Sequence, residues 1–407
     1  MGRAVYNTLI PRGVTEDYLA YTRWRFTQRI FSSALAVLST QSMLRAVGVG
    51  AKRSLPAAAA VNWVLKDGLG RLGKLATSAQ FSQAFDSELK RFRFSASIFF
   101  NASSALEMAT PFWPPHFLLL ASIANVGKSM ASASALAVTP AFHRSFSNGD
   151  NMADISAKAQ AQHVIADNLG LALALLISGT AKARHVAGVP LAPLAAWPFL
   201  VAGDLFSNYR ELKAVQLRTL NMQRSEIGAH FFLRHGRAPS TLQASAEENI
   251  VRLRSGRDRG WPLEVVPLHR CAGSPAELAA LLRRHRRDGY VLAGAPETSG
   301  GGGGRAGRRG TLYLSLRSDA TDAELAQAVL QAAHFRETAA EGAAEPLRAE
   351  AVGAALRESL RAARAAAPGF GASLRERGWQ VNGRKLTHTC PCTFTLAENW
   401  EAELPRR

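Results

Sequence analysis

Five ionisable residues stand out because they lie in stretches that are otherwise apolar or small: Lys66, Asp67, Glu107, Asp154 and Lys158. Glu107 is the single acid in SIFFNASSALEMATPFW, where a carboxylate needs a cationic partner or a proton. Because a buried charge without a partner is costly, we expect some of these residues to pair across helices. They would line a path or a partner surface, or transfer protons at a bound substrate.

Lys66 belongs to a helical stripe that contains glycine. The segment NWVLKDGLGRLGKL places Asn62, Lys66, Gly70 and Gly73 on one face, at spacings of four, four and three residues. Glycines let another backbone approach closely, so Lys66 would lie where two helices meet. The alternative is a helix end at a lipid surface, with the Lys66 ammonium reaching toward water.

A second polar stripe lies in the segment NMADISAKAQAQ. Asn151, Asp154, Lys158 and Gln162 share one helical face there. Asp154 precedes Lys158 by four residues, which is the favourable orientation for an ion pair within a helix. An ordinary solvated helix face would have the same pattern.

One segment nearly matches a nucleotide-binding loop. Ser122 is followed by Gly127, Lys128 and Ser129 at the Walker A spacing. Ser122 replaces the first glycine, and that position needs a backbone with no side chain near the phosphates. We therefore expect Lys128 to make no contribution to nucleotide binding.

The cysteines offer little metal or redox chemistry. His388, Cys390 and Cys392 lie close together, but a structural zinc site normally needs a fourth ligand and a wider thiol spacing. The sequence therefore predicts no metal, no cofactor and no catalytic residue, and it favours a protein that is not an enzyme.

The composition restricts the partners. The chain has 407 residues, of which 47% are hydrophobic and 20% charged, with a formal net charge of +18. This length allows two or three folded domains. Positive charge attracts nucleic acid and anionic lipid alike, but the arginines of RRHRRD at 283–288 lack interleaved aromatic residues that would stack on bases. We expect no nucleic acid partner.

Three apolar stretches indicate a bilayer. Residues 110–127 and 186–203 carry no formal charge, and residues 165–181 carry only Asp167; about 20 apolar residues span the hydrocarbon core. The short basic turn between the last two stretches is typical of a helical hairpin with its loop on the positive side. A large water-soluble helical core is the alternative, because three prolines weaken the last stretch.

The chain changes character after Leu233, where RHGRAPSTLQASAEEN is polar. Short strand-like and helix-like runs then alternate, at 264–269, 275–287, 290–293, 311–316 and 320–334. This pattern predicts a helical domain at 1–235 and a small α/β (α+β) domain at 245–395. The glycine-rich run at about 298–310 is predicted to be a disordered insert.

Six segments, in this order, resemble the root UVB sensitive family: DYLAYTRWRFTQ, LSTQSMLRAVGVG, AAAAVNWVLKDGLGRLGKL, FDSELKRFRFSA, LEMATPFWPPHFLLLASIANVGKSM and NMADISAKAQAQ. The resemblance is dense over residues 9–215, and RRHRRDGYVLAG and TLYLSLRSDAT resemble that family's C-terminal domain. It implies a role in ultraviolet-B response, vitamin B6 homeostasis and auxin-related development. It implies no particular reaction.

The resulting hypothesis is a mainly α protein, with a membrane-embedded helical N-terminal domain followed by the small α/β domain, that acts by transport or scaffolding. The expected partners are membrane lipid and another family member in a hetero-oligomer. The expected location is a membrane, and the resemblance suggests the plastid because some family members look plastid-targeted. A soluble enzyme or interaction protein of the same family is the alternative.

Overall fold

A computed structural model describes residues 8–46, 67–72, 75, 88–179, 185–186, 189–251, 261–296, 310–341, 349–381 and 393–396. The described chain is mainly helical, as predicted. It divides into two compact units, Met1–Gln216 and Leu217–Arg407.

The N-terminal unit is a helical bundle. Its long helices are α1 (Asp17–Ala46), α2 (Leu89–Ala109), α3 (Phe117–Phe146), α4 (Met152–Gly179) and α5 (Leu191–Ala214). Helix α1 lies at the centre, because it packs against α5, α4 and α2. Leu35 and Leu38 of α1 meet Met108, Ala174 and Leu200 in an apolar cluster, so one end of the bundle has an ordinary hydrophobic core.

Residues 110–127 do not form one helix, and the prediction of a single membrane span there is wrong. Two 3₁₀ turns, Thr110–Phe112 and Pro114–His116, precede α3. Prolines at 111, 114 and 115 cause the break, because proline lacks the N–H that an α-helix requires. Helix α3 then continues through Lys128 to Phe146, so the near match to a Walker A loop lies inside a continuous helix.

Helix α4 is the one helix in the described part of the chain that is long and apolar enough to cross a membrane. Of its apolar 18-residue window, 17% is buried within the protein. Residues 186–203, expected from the sequence as another span, begin in a short antiparallel strand pair, His185–Val186 with Val189–Pro190, and then enter α5.

The C-terminal unit combines helices with a small sheet. Its elements are α6 (Met222–His235), α7 (Thr241–Glu247), β1 (Leu263–Val265), α8 (Pro275–Arg284), β2 (Tyr290–Pro296), β3 (Gly310–Arg317), α9 (Asp322–Glu341), α10 (Ala349–Glu376) and β4 (Thr393–Phe394). Strand β3 is central, since it pairs in parallel with β1 and β4 and antiparallel with β2. The predicted sheet with flanking helices is therefore present.

Helices α9 and α10 pack on the sheet and close the core of this unit. Leu312, Leu314 and Leu316 of β3 are fully buried, as the two-residue period of a strand with one face on a core requires. They cluster with Phe335 of α9. Helix α6 also joins this core through Ile227, although it precedes the domain boundary that the sequence places near residue 235.

Candidate functional site

The interior of the N-terminal unit holds a polar network around Asp204. Asp204 lies on α5 and is 0% exposed. Its carboxylate accepts hydrogen bonds from Gln28 Nε2 at 2.6 Å, Ser97 Oγ at 2.8 Å and Asn101 Nδ2 at 2.6 Å. Three helices, α1, α2 and α5, therefore meet at one carboxylate, and such satisfied buried carboxylates fix the relative positions of their helices.

A second buried carboxylate, Glu211, lies two turns further along α5. It accepts a 2.9 Å hydrogen bond from Arg25 and lies 4.0 Å from Arg93 Nη2. Arg93 also donates to Gln28 Oε1 at 3.4 Å, which connects the two carboxylates. We call Arg25, Arg93, Asp204 and Glu211 the charge quartet. Its two guanidinium and two carboxylate charges cancel, and this reduces the cost of burying them.

Helical spacing brings these residues together. On α2, Arg93, Ser97 and Asn101 follow one another at intervals of four residues, and on α5 Asp204 and Glu211 are seven residues apart. Both spacings keep side chains on one helical face. The network was not predicted from the sequence, although Gln28 belongs to an amphipathic stripe with Asp17, Tyr21 and Trp24 and signals a polar contact for that face of α1.

Several polar atoms near the charge quartet have no hydrogen-bond partner in the described part of the protein. Asn208 lies between Asp204 and Glu211 on α5 and is 0% exposed, yet neither its Nδ2 nor its Oδ1 is bonded. The same holds for Asn101 Oδ1 and Arg93 Nε. Buried amides that lack partners cost about 1–3 kcal/mol each. Such a group therefore marks a place where water or a small polar solute completes the network.

Helix α4 reaches the charge quartet through His163. Arg25 Nε donates a 3.0 Å hydrogen bond to His163 Nε2. That nitrogen must be unprotonated to accept, so the imidazole is neutral with its proton on Nδ1. The Arg25 guanidinium also lies 5.9 Å from the centre of the Tyr21 ring, within the range of a cation–π contact.

Glu107, one of the candidate residues from the sequence, pairs with Lys128 across helices. Its carboxylate on α2 accepts a hydrogen bond from Lys128 Nζ on α3. Lys128 Nζ also donates to Ser39 Oγ of α1 at 2.9 Å and lies 5.3 Å from the centre of the Phe100 ring. Lys128 is therefore the interhelical partner of a buried acid. The sequence analysis considered Lys128 only as part of a near match to a nucleotide-binding loop and did not predict this pairing.

Asp154 and Lys158 pair within α4 at 3.2 Å, and their stripe holds a segment near the N-terminus. Lys158 Nζ donates to the carbonyl of Ile10 at 3.0 Å, and Gln162 Nε2 donates to the carbonyl of Leu9 at 2.6 Å. Asp154 accepts from the backbone N–H of Arg12 at 3.2 Å. The stripe thus binds the main chain of residues 9–13, which we call the N-terminal strap.

Two candidates from the sequence, Lys66 and Asp67, remain. Asp67 is exposed, and Lys66 lies outside the described residues. Gly70, of the same glycine stripe, lies close to α3, since a Cβ there would collide with the side chains of Asn125 and Ser129. This close approach is the packing for which glycine is suited.

The C-terminal unit has its own buried polar network, at the loop that follows α8. Asp288 accepts from Arg364 Nη2 at 2.7 Å and from Gln327 Nε2 at 3.1 Å, and it bonds His285 Nδ1 at 3.1 Å. Burial lowers the pKa of His285, although Asp288 opposes the shift. Despite burial, the bonds from His285 and Arg364 lower the pKa of Asp288. The imidazole is therefore neutral near pH 7 and donates to an ionised Asp288.

His388, Cys390 and Cys392, considered from the sequence as metal ligands, lie outside the described residues. Cys271 is buried, and burial raises its pKa to about 12. A thiol in that state is a poor nucleophile.

These features define a class of protein: a helical unit with a neutral group of charges at its centre, joined in sequence to a unit with a small mixed sheet. Residues 4–236 match the family model described as the vitamin B6 photo-protection and homoeostasis domain. The chain belongs to the root UVB sensitive family.

Curated relatives agree with this assignment. Protein root UVB sensitive 4 of Arabidopsis thaliana is 38% identical over 94% of this chain and 75% of its own length. Protein root UVB sensitive 6 of the same plant is 34% identical over 59% of this chain and 46% of its own length. Protein root UVB sensitive 2, chloroplastic, also from that plant, is 34% identical over 59% of this chain and 54% of its own length. No solved structure matches the chain.

Proposed function

We propose that this chain is a membrane protein of vitamin B6 homeostasis, and that its N-terminal unit binds and moves a small polar solute at the charge quartet. The family model supports the B6 role, because the domain that it describes covers the N-terminal unit. The membrane and the solute are supported by how polar and apolar side chains are distributed in that unit.

The observation that carries the proposal is the distribution of side chains in the N-terminal unit. Large hydrophobic side chains are exposed on its surface, and the charge quartet is buried in its interior. Among the described residues, nearly all exposed large hydrophobic side chains belong to the N-terminal unit, and only Leu242 and Val251 belong to the other. Helix α4 exposes Leu169, Leu175 and Leu176. Extensive exposed apolar surface marks contact with lipid or protein, and ionisable residues inside a membrane domain face the interior and mark solute paths.

The charge quartet suits a solute site because it is neutral before any solute arrives. A neutral or zwitterionic solute can then enter without leaving a net buried charge behind. Asn208 supplies an amide NH2 group and a carbonyl oxygen, and neither has a hydrogen-bond partner among the described residues. In this proposal membrane lipid covers the outer faces of α4 and α5, and Glu107 with Lys128 forms a second interhelical pair that holds α2 against α3.

The membrane part is tested by alkaline carbonate washing of membranes from cells that express the full chain. An embedded protein stays in the pellet, as a marker protein with spanning helices does. Release with the peripheral marker would rule out embedding and leave the soluble alternative, an enzyme or interaction protein of the same family.

The solute part is tested by Asn208→Leu, with Asn168→Leu as the matched control. Asn168 is exposed on α4. If Asn208 only fills space, replacing its unbonded amide should raise the free energy of unfolding by about 1–3 kcal/mol and leave function intact. If it contacts the solute, the variant should be abundant and stable but fail to rescue a plant or algal mutant that lacks a family member. Full rescue by Asn208→Leu would overturn the assignment.

A further inference from the structure

We propose that the C-terminal unit contains a second binding site, for a planar heteroaromatic amine. The site is a pocket of about 500 Å³ between α6, α7 and α9, a volume within the range of small-molecule sites. We call it the α6 pocket and define it by Phe231, Arg234, His235, Glu247, Arg336 and Glu337. The choice of vitamin B6 amines as the ligand class rests on the proposed function, whereas the chemistry of the pocket is independent of it.

One wall of the α6 pocket is an aromatic pair with a fixed orientation. The rings of Phe231 and His235 are stacked, with centroids 4.1 Å apart and an interplanar angle of 23°. His235 Nδ1 lies 3.0 Å from the carbonyl oxygen of Phe231. Because a carbonyl oxygen only accepts, Nδ1 carries the proton and Nε2 is the acceptor in the neutral ring. A planar ring can stack on this wall.

The other polar groups of the α6 pocket include two carboxylates. Glu247 of α7 is exposed, and Glu337 of α9 is half-buried. Glu337 already takes part in another interaction within the protein, so the acceptors that the proposal uses are the Glu247 carboxylate and His235 Nε2. Acceptors of this kind select a ligand that brings its own donors, and carboxylates favour a donor that is positively charged.

The two arginines of the α6 pocket differ in burial. Arg336 is 5% exposed, and it donates to the carbonyl of Trp261 at 2.8 Å and to Glu226 Oε1 at 2.9 Å. Glu226 therefore neutralises its charge. Arg234 is exposed at the end of α6, where its guanidinium can reach an anionic group on a ligand. A ligand whose ring lies between Glu247 and Arg234 would carry an amine on the side of Glu247 and a phosphate on the side of Arg234.

Pyridoxamine 5′-phosphate has this combination of groups: a pyridine ring, a primary ammonium and a phosphate monoester. We infer that the ring stacks on His235, the ammonium lies at Glu247, and the phosphate lies at Arg234. The aminated form of the vitamin is thereby distinguished from the alcohol form, pyridoxine, which lacks the ammonium.

The experiment is isothermal titration of the full-length protein with four probes: pyridoxamine, pyridoxine, pyridoxamine 5′-phosphate and inorganic phosphate. Wild-type protein is expected to bind pyridoxamine 5′-phosphate best and pyridoxamine next. Pyridoxine should bind at least about tenfold more weakly than pyridoxamine, the factor that a hydrogen bond between charged groups supplies. Equal affinity for pyridoxine and pyridoxamine, or binding of inorganic phosphate alone, would overturn the proposal.

Two substitutions test the ammonium contact and the phosphate contact of the ligand independently. Glu247→Gln should weaken pyridoxamine by about tenfold and leave pyridoxine unchanged. Arg234→Gln should weaken pyridoxamine 5′-phosphate and leave pyridoxamine unchanged. Arg237→Gln is the matched control, because Arg237 is also exposed but lies beyond the end of α6. All three positions are exposed, so folding should be preserved.

Loss of affinity for every probe alike in both variants, or no loss in either, would contradict this assignment of groups. Because Glu247→Gln and Arg234→Gln change only the α6 pocket, a negative result with these variants leaves the carbonate and Asn208 experiments on the N-terminal unit unaffected. A failure of those experiments likewise leaves the titration interpretable.

Discussion

The side-chain amide of Gln28 donates a 2.6 Å hydrogen bond to Asp204 across 176 residues of chain. Its oxygen accepts from Arg93 at 3.4 Å. Gln28 therefore connects an acid of α5 with a base of α2, although it carries no charge itself. The charge quartet depends on this bridge, because a glutamine can donate and accept at the same time.

Asp204→Asn is expected to lower the free energy of unfolding by about 3–5 kcal/mol, since it leaves the charge quartet with an excess positive charge in a buried place. The measurement is denaturant unfolding of protein purified in mild detergent. Asp167→Asn is the control, because the ion pair of Asp167 with Arg29 has side chains that are 38% and 44% exposed. That change should cost at most about 1 kcal/mol. Equal costs would show that the charge quartet is not buried.

Lys128→Met should lower stability by about 3–5 kcal/mol, because it leaves the buried Glu107 carboxylate without its cation. Glu107→Gln should cost less, because Lys128 is only half-buried and also bonds Ser39. The double variant should lose less unfolding free energy than the two single variants lose together, because it retains neither charge. A double-mutant cycle measures this coupling, expected at about 0.5–3 kcal/mol. If the two single losses add up to the loss of the double variant, Glu107 and Lys128 do not interact.

Gln162→Leu should loosen the N-terminal strap, because it removes the donor to the carbonyl of Leu9. Limited proteolysis should then cut the chain before Gly13 faster than in wild type. Gln160→Leu makes the same change at an exposed position of α4 and should leave the cleavage rate unchanged. If both variants were cut alike, the contact at Leu9 would not hold the strap.

Acid should destabilise the C-terminal unit in the range where histidines titrate. Burial lowers the pKa of His285 and of His334, so the folded state binds fewer protons than the unfolded state. This contribution is complete above the unfolded value of about 6.5 and is lost as pH falls toward the folded pKa. The measurement is the protection of α10 amides from hydrogen exchange between pH 7.5 and 5, expressed relative to the intrinsic exchange rate at each pH.

His285→Gln should reduce the pH dependence of that exchange. His334→Gln should remove only the part of the pH dependence that comes from the titration of His334. The lowered pKa of Asp288 acts in a separate window, since its contribution is lost only as pH falls below the unfolded aspartate value of about 3.9. Protection that stays constant between pH 7.5 and 5 would contradict the prediction for both histidines.

The sequence by itself determined the family, the mainly helical character and the sheet. Six motifs in order define the family, and the strands at 290–293 and 311–316 lie within β2 and β3. These features could be predicted because periodicity and turn residues act over a few positions. The polar stripe of Asn151, Asp154, Lys158 and Gln162 was visible for the same reason, since one helix face is a local property.

Only the tertiary structure decided which polar residues meet. The charge quartet joins Arg25, Arg93, Asp204 and Glu211 from three helices, and no local pattern specifies that α1, α2 and α5 pack against one another. In the same way Glu107 was recognisable as an acid that needs a partner, but Lys128 was not recognisable as that partner. Long-range pairing follows from how whole helices pack, so it becomes visible only when their faces are brought together.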